Sequence, residues 1–219
     1  MSLAGQAPAV VGAGAFFVGL LAAAEAATRR WTLHAEQSRK LAHVSSGVAA
    51  ACLPLVMPFP AIVVLALLFV PFMVVSRRIG LFPAVHGVER TTWGEVWFPL
   101  GVLLAAALFP HAVPYAFGVL VMGLSDAAAS DAGRRWGRRA YQVLGAHKTY
   151  VGSAAFLAVT VVLATGALGA GGNLSVASVP AILAVAAALT VVEGLAGGGV
   201  DNVLLPVVGA ALLTVVVSV

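Results

Sequence analysis

Eight apolar segments, each close to the length of a membrane-spanning helix, occupy most of the chain. They lie near residues 8–27, 41–57, 59–76, 96–109, 112–131, 150–169, 177–196 and 202–219. A helix rises about 1.5 Å per residue, so about 20 apolar residues cross the roughly 30 Å hydrocarbon core of a bilayer. The segments therefore predict an all-α, multi-pass transmembrane bundle of about eight helices. The fourth segment is short and is expected to be tilted or partly interfacial.

The composition excludes a soluble protein. Hydrophobic residues make up 61% of the 219 residues and charged residues only 9%, whereas soluble domains average about 25% charged residues. The length fits a single integral membrane domain over residues 1–219. In so apolar a chain, the net charge of +4 favours contact with anionic lipid headgroups or a phosphorylated substrate rather than nucleic acid. The lone cysteine, Cys52, lies in an apolar run and is expected to serve helix packing.

The basic residues determine the predicted orientation. All 12 Lys and Arg residues fall in or beside the first, third and fifth connections between segments. They are Arg29, Arg30, Arg39, Lys40, Arg77, Arg78, Arg90, Arg134, Arg135, Arg138, Arg139 and Lys148. Because cytoplasmic loops are enriched in Lys and Arg, these connections are predicted to be cytoplasmic. An even number of spans then places both termini on the non-cytoplasmic side, and in a prokaryote the membrane would be the plasma or inner membrane.

The acidic residues lie at the same membrane face as the basic residues. The enrichment of Lys and Arg in cytoplasmic loops does not require this of acidic residues. They are Glu25, Glu36, Glu89, Glu95, Asp126, Asp131, Glu193 and Asp201. Carboxylates within or next to spanning helices are costly to bury and commonly serve a function. We therefore expect a polar site at the cytoplasmic interface.

The richest polar segment runs from residue 123 to residue 139. Gly123, Asp126, Ser130, Gly133 and Gly137 recur at spacings of three and four and so share one helix face. Such a face allows the close approach of another helix, or of a phosphate chain with its metal ion. Packing alone explains the glycines but not Asp126, which we therefore predict to be functional. Asp131 lies on a different face and is expected to pair with an arginine.

Two residues at the start of the sixth segment suit an anion. Lys148 offers an ammonium group, and Thr149 follows it where a helix begins and its N–H donors are unpaired. The spacing of a nucleotide-binding P-loop is absent. Taken alone, Lys148 is better explained as a marker of topology.

Acidic residues also flank three glycines between the seventh and eighth segments. Glu193 precedes the glycines and Asp201 follows them, and either Asp201 or Asn202 is suited to cap the eighth helix. Capping does not require Glu193. A carboxylate facing Asp126 across the bundle is suited to Mg²⁺, which takes carboxylate oxygens, waters and substrate phosphates.

The second segment begins with Arg39, Lys40 and His43. Lys40 and His43 share one helix face with Gly47, and Arg39 lies one turn before His43. A histidine at this depth is as compatible with an interfacial anchor as with a functional group. The other histidines show no metal-ligand spacing, so no zinc site is predicted.

Five short motifs follow one another along the chain. They are R-K-x-x-H from Arg39 to His43, E-x-x-F-P-x-G from Glu95 to Gly101, D-A-A-A-x-x-x-G-R-R-x-G from Asp126 to Gly137, K-T-x-x-G-S from Lys148 to Ser153, and E-x₇-D-N-x-x-x-P from Glu193 to Pro206. In this order they resemble the CTP-dependent lipid kinases: dolichol, phytol and farnesol kinases and yeast-type diacylglycerol kinase. That group is similar to the phosphatidate cytidylyltransferases. The likeness extends over about residues 36–210.

The resemblance implies that the γ-phosphate of CTP is transferred to the hydroxyl of a long-chain lipid alcohol, of the polyprenol, dolichol or phytol type or diacylglycerol. Asp126 and Asp201 would bind Mg²⁺, and Lys148 with Arg134 would hold phosphates. The candidate catalytic residues are Asp126, Lys148, Glu193, Asp201 and His43. The candidate nucleotide-binding residues are Arg39, Lys40, Gly133, Arg134, Gly137, Lys148, Thr149 and Asn202. The chain departs from the pattern at Val151, where relatives often carry Glu, and at Asp131, which the pattern lacks.

Three alternatives stay open from the sequence. A CTP:phosphatidate cytidylyltransferase would use the same nucleotide and metal but attack the α-phosphate and release pyrophosphate. An ion-coupled transporter tends to place ionisable residues near the membrane midplane in two matching repeats, and this chain shows neither feature. A non-catalytic scaffold would not depend on Asp126. In the kinase, a carboxylate such as Asp126 or Glu193 is expected to accept the proton of the hydroxyl.

Overall fold

A computed structural model of the chain describes residues 3–83, 93–144 and 146–218. Its helices are α1 (Leu3–Trp31), α2 (Ala35–Ala51), α3 (Phe59–Arg78), α4 (Gly94–Leu108), α5 (Ala112–Leu120), α6 (Asp126–Trp136), α7 (Tyr150–Ala170), α8 (Val179–Leu195) and α9 (Asp201–Ser218). A π-helical turn, Val121–Ser125, joins α5 and α6 into one continuous helix, and short 3₁₀ turns lie at Leu53–Leu55 and Val176–Ser178. Of the residues named from the sequence, Glu89 and Arg90 lie outside the described ranges.

The predicted multi-pass helical fold is confirmed. Each of the eight apolar segments corresponds to a helix of the described chain when α5, the π-helical turn and α6 are taken as one. Six of these helices are long and apolar enough to cross a membrane. The helix α4 has 15 residues and is short, as the sequence predicts, and α2 has 17 residues. The side of the membrane on which the termini lie stays a prediction.

Local sequence explains where several helices begin. Pro58 precedes α3 and Pro60 lies in its first turn, where a missing N–H leaves no hydrogen bond unmade. Thr149 caps α7, because its Oγ1 accepts the N–H of Gly152 at 3.0 Å. Between α8 and α9, Gly198 and Gly199 have positive φ angles of 67° and 91°. Glycine adopts this left-handed backbone without strain, so the chain can turn back sharply here.

The helix α9 packs against α4, α5 and α8 near the centre of the bundle. Two glycines allow the close approach: a Cβ on Gly101 would collide with the backbone of Asn202, and a Cβ on Gly118 would collide with that of Pro206. These contacts hold the first turns of α9 against the middle of α4 and against α5. They thereby fix the position of the polar residues that open α9.

One β-hairpin departs from the all-helical prediction. Strand β1 (Ala140–Val143) runs antiparallel to β2 (Ala146–Thr149), with Tyr141 opposite Lys148. The sequence predicts only a connection here, because strands this short carry too little period-two pattern to be recognised. The hydroxyl groups of Tyr141 and Ser153 lie 2.7 Å apart and tie the hairpin to α7. The hairpin therefore gives Lys148 a fixed position.

The prediction for Cys52 was wrong. Its side chain is exposed at the C-terminal end of α2 and is not packed between helices. The helix ends there because Pro54 enters the following 3₁₀ turn and cannot donate a backbone hydrogen bond. Cys52 thus lies at the end of the helix, beyond its packed face.

Candidate active site

A buried ion pair joins the hairpin to the end of α8. The Nζ of Lys148 lies 2.5 Å from Oε1 of Glu193. Only 17% of the Lys148 side chain and 3% of the Glu193 side chain are exposed, so both charges are largely withdrawn from water. The second carboxylate oxygen of Glu193, Oε2, is buried and has no hydrogen-bond partner among the described residues. An unpartnered buried oxygen is costly and commonly marks a functional site.

Asp126 and Asp201 lie close enough to this pair for their charges to act on Lys148. Asp126 opens α6 directly after the π-helical turn, and Asp201 opens α9 after the glycine loop. Burial disfavours the charged ammonium of Lys148. The hydrogen bond and charge of Glu193, with the charges of the two aspartates, outweigh this and raise the pKa of Lys148 above its usual value. Three carboxylates from three helices therefore surround one lysine.

The donor set fits a magnesium ion held jointly with a phosphorylated substrate. Three carboxylates around one lysine leave an excess of negative charge, which a divalent cation neutralises. Within the described residues, no three His, Cys, Asp or Glu side chains are grouped as a complete metal site. Mg²⁺ does not need one, because it commonly uses one or two carboxylates and completes its octahedron with water and phosphate oxygens. Asp126 and Asp201 fit that pattern.

The helix α2 packs along the π-helical turn and brings His43 next to it. The ring Nε2 of His43 donates to the carbonyl oxygen of Met122 at 3.1 Å. A Cβ on Gly47 would lie 3.0 Å from the Cα of Gly123, so the two backbones are in close contact. The predicted close approach of another helix to Gly123 is therefore confirmed. π-helical turns are rare and occur frequently at functional sites, which agrees with Asp126 following this one.

A second, more exposed ion cluster lies beside the site. The Nζ of Lys40 is 2.7 Å from Oδ1 of Asp131, and a guanidinium nitrogen of Arg134 is 2.5 Å from the same oxygen. The expected pairing of Asp131 with an arginine is confirmed, and Lys40 is an additional partner. Arg39 pairs with Glu36 at 2.9 Å. Binding of a nucleotide by these basic side chains stays a prediction.

The glycines at the end of α6 pack against the start of α7. A Cβ on Gly133 would lie 2.8 Å from Oγ1 of Thr149, and a Cβ on Gly137 would lie 2.7 Å from its Cγ2. A Cβ on Gly152 would lie 2.9 Å from the carbonyl oxygen of Ala129. Close packing is sufficient to explain why these positions are glycine. Their contact with a nucleotide, and that of Thr149, stay predictions.

Asn202 links the start of α4 to α9, and Glu95 links it to the end of α3. The buried Nδ2 of Asn202 donates to the carbonyl oxygen of Gly94 at 2.9 Å. The Asn202 side chain therefore links two helices and does not cap α9. Glu95 forms an ion pair with Arg77, whose guanidinium carbon lies 4.6 Å from the ring centre of Trp93.

Two residues that support the site were not identified from the sequence. Tyr141 fixes the hairpin that carries Lys148. Ser125 is fully buried and accepts a hydrogen bond from Thr160 at 3.0 Å, which anchors the π-helical turn to α7 just before Asp126. The one sequence signal for Ser125 is its position directly before Asp126.

The chain is similar over nearly its whole length to a phytol kinase. It is 32% identical over 213 residues to the phytol kinase of Synechocystis sp. (strain ATCC 27184 / PCC 6803 / Kazusa), and the match covers 93% of this chain and 89% of that protein. No protein-family profile matches the chain. No solved structure matches it. The extent and identity of the match show that this chain belongs to the same family of lipid alcohol kinases as that phytol kinase.

Proposed function

We propose that this kinase uses CTP as its phosphate donor and phosphorylates a long-chain lipid alcohol at the cytoplasmic face of the membrane. The observation that carries the proposal is the convergence of Asp126, Asp201 and the Lys148–Glu193 pair. Phosphoryl transfer depends mainly on positioning and on neutralising the charge of the phosphates. A lysine and a carboxylate pair for Mg²⁺ supply both. The name of the Synechocystis relative makes phytol and similar isoprenoid alcohols the first acceptors to test.

Each polar group of the site has a distinct proposed task. Asp126 and Asp201 would hold Mg²⁺, which supplies positive charge next to the phosphates. Lys148 binds the phosphate chain through its ammonium group. The acceptor hydroxyl oxygen forms a bond to the γ-phosphorus, the bond from the γ-phosphorus to the bridging oxygen breaks, and CDP leaves. The proton of the hydroxyl passes to a carboxylate, and the unpartnered Oε2 of Glu193 is suited to accept it.

Labelled CTP distinguishes this proposal from the cytidylyltransferase. Membranes containing the protein and Mg²⁺ are incubated with CTP labelled at the α- or the γ-phosphate and with phytol, geranylgeraniol, a dolichol, diacylglycerol or phosphatidate. We expect the γ label, and not the α label, to enter an alcohol. Entry of the α label into phosphatidate would instead assign the cytidylyltransferase reaction. Transfer from ATP in place of CTP would contradict the proposed donor.

The position of Cys52 allows the proposed orientation to be tested. Cys52 is exposed between α2 and α3, in a connection predicted to be non-cytoplasmic. In intact cells, a membrane-impermeant maleimide is expected to label the protein through this residue. As the matched reporter, a Cys52→Ser/Arg138→Cys variant is expected to be labelled only after the cells are permeabilised. The reverse pattern would place the acidic site on the non-cytoplasmic side.

A further inference from the structure

An apolar cleft, open along part of its length, lies between α1, α2, α3 and α4. The side chains along most of its length are aliphatic or aromatic. Its polar lining residues are Arg39, His43, Ser46, Glu95 and Asn202, which belong to residues 39–46 of α2 and to the starts of α4 and α9. The cleft is therefore polar towards the starts of these helices and apolar beyond them.

The length of the cleft can be read from α3. Residues from Ile62 to Met73 line it, and at 1.5 Å per residue this is about 16 Å of helix. Leu53, in the 3₁₀ turn that follows α2, lies with Ile62 at the far end and is buried. This length suits an extended hydrocarbon chain with its terminal carbons next to Leu53 and Ile62.

The polar end of the cleft is continuous with the acidic site. Asn202 lines the cleft and directly follows Asp201 in the chain. Arg39 also lines the cleft, and the charges of Asp126 and Asp201 both act on its guanidinium. A hydroxyl group at the polar end would therefore lie beside the carboxylates that are proposed to carry out phosphoryl transfer.

We propose that this cleft binds the hydrocarbon chain of the acceptor alcohol, and that its far end sets the longest chain that is phosphorylated efficiently. The inference rests on the proposed function and adds the binding site and the residues that select the chain. Ala66 lies midway along the cleft on α3, and its small side chain leaves the passage open. Ile62 limits how far the hydrocarbon chain can extend into the cleft. His43 and Arg39 orient the hydroxyl end.

Substitutions that shorten and deepen the cleft test the proposal in opposite directions. Ala66→Phe is expected to block the inner half, and Ile62→Ala to extend it. The measurement is the ratio of kcat/KM for farnesol to kcat/KM for geranylgeraniol. We expect this ratio to rise at least about tenfold in Ala66→Phe and to fall in Ile62→Ala, since each methylene in an apolar pocket changes discrimination by roughly 10-fold or more. Ala23→Phe, on the exposed face of α1, is the matched control and should leave the ratio unchanged.

A binding measurement separates failure of this inference from failure of the proposed reaction. A geranylgeraniol analogue with a photoreactive group at the end of its chain is crosslinked to the full-length protein in membranes. We expect crosslinks at Leu53 and Ile62 that excess geranylgeraniol suppresses, and that are lost in Ala66→Phe but kept in Ala23→Phe. Crosslinks elsewhere, or unchanged ratios in both cleft variants, would overturn the inference even if the kinase is active. Preference for diacylglycerol over every single-chain alcohol would also overturn it.

Discussion

Replacing Asp126 by Asn is expected to lower kcat/KM for phosphoryl transfer by at least about 10³-fold while leaving the protein folded. The amide has nearly the same shape as the carboxylate but no charge, so it is a poor ligand for Mg²⁺ and no longer interacts with the Lys148 ammonium as a carboxylate does. The measurement is transfer of the γ label from CTP to phytol or geranylgeraniol in membranes. The thermal stability of the purified variant in detergent shows whether the fold is retained.

Asp131→Asn provides the matched control on the same helix. Asp131 pairs with Lys40 and Arg134, and its side chain is 45% exposed, as is Arg134 at 46%. The exposed pair of Asp131 with Arg134 contributes little to stability, about 0–1 kcal/mol. The Lys40 side chain is 11% exposed, and the amide oxygen of Asp131→Asn can still accept its hydrogen bond. We expect the activity of Asp131→Asn to stay within about threefold of the original protein. Equal losses in both variants, or full activity in Asp126→Asn, would contradict the role assigned to Asp126.

The helical architecture could be predicted because in a membrane it depends mainly on segment length and polarity. Apolar runs of the required length must form helices, since backbone groups cannot remain unpaired in hydrocarbon. The proline positions before α3 and the shortness of α4 were also predictable, because both follow from the local sequence. The hairpin before α7 and the exposure of Cys52 were not, because four-residue strands and the end of a helix depend on what packs next to them.

The site was predictable one residue at a time, but its pairings were not. Asp126 stood out because a carboxylate in a small-residue helix face has no packing explanation. Its neighbourhood depends on how α6, α8 and α9 are arranged, and that arrangement is set by backbone contacts such as that of Gly101 with Asn202. The predicted shared face of Gly133 and Gly137 proved to be packed on Thr149, a contact between two elements that spacing within one helix does not reveal.

The Lys148–Glu193 pair gives the second large expected effect, on both stability and activity. Lys148→Met is expected to leave Glu193, which is 3% exposed, without its cation. Removing one partner of a buried ion pair costs about 3–5 kcal/mol, which corresponds to a fall of roughly 6–20 °C in Tm for a protein of this size. Phosphoryl transfer should also be lost, because Lys148 is proposed to bind the phosphates. The measurements are thermal unfolding in detergent and transfer of the γ label.

The pH dependence of this effect has a definite sign. The pKa of Lys148 is raised in the folded protein, so its pairing stabilises the fold fully below the ordinary lysine pKa of about 10.4. The contribution is lost only as the pH rises through the higher folded-state pKa. The difference in Tm between the original protein and Lys148→Met should therefore be constant from about pH 7 to about pH 9. A difference that disappears within this range would show that the pair is not ionised in the fold.

The double variant Lys148→Met/Glu193→Gln separates structural from chemical roles. With both charges of the pair removed, position 193 no longer holds a buried carboxylate without its cation, and removing a whole buried ion pair costs less stability than removing one partner. We therefore expect Tm to recover most of the loss seen in Lys148→Met, whereas phosphoryl transfer stays lost. Recovery of both properties would mean that the pair only holds the hairpin on α8. Recovery of Tm without recovery of phosphoryl transfer would mean that the buried ammonium and carboxylate are required by the reaction and not by the fold.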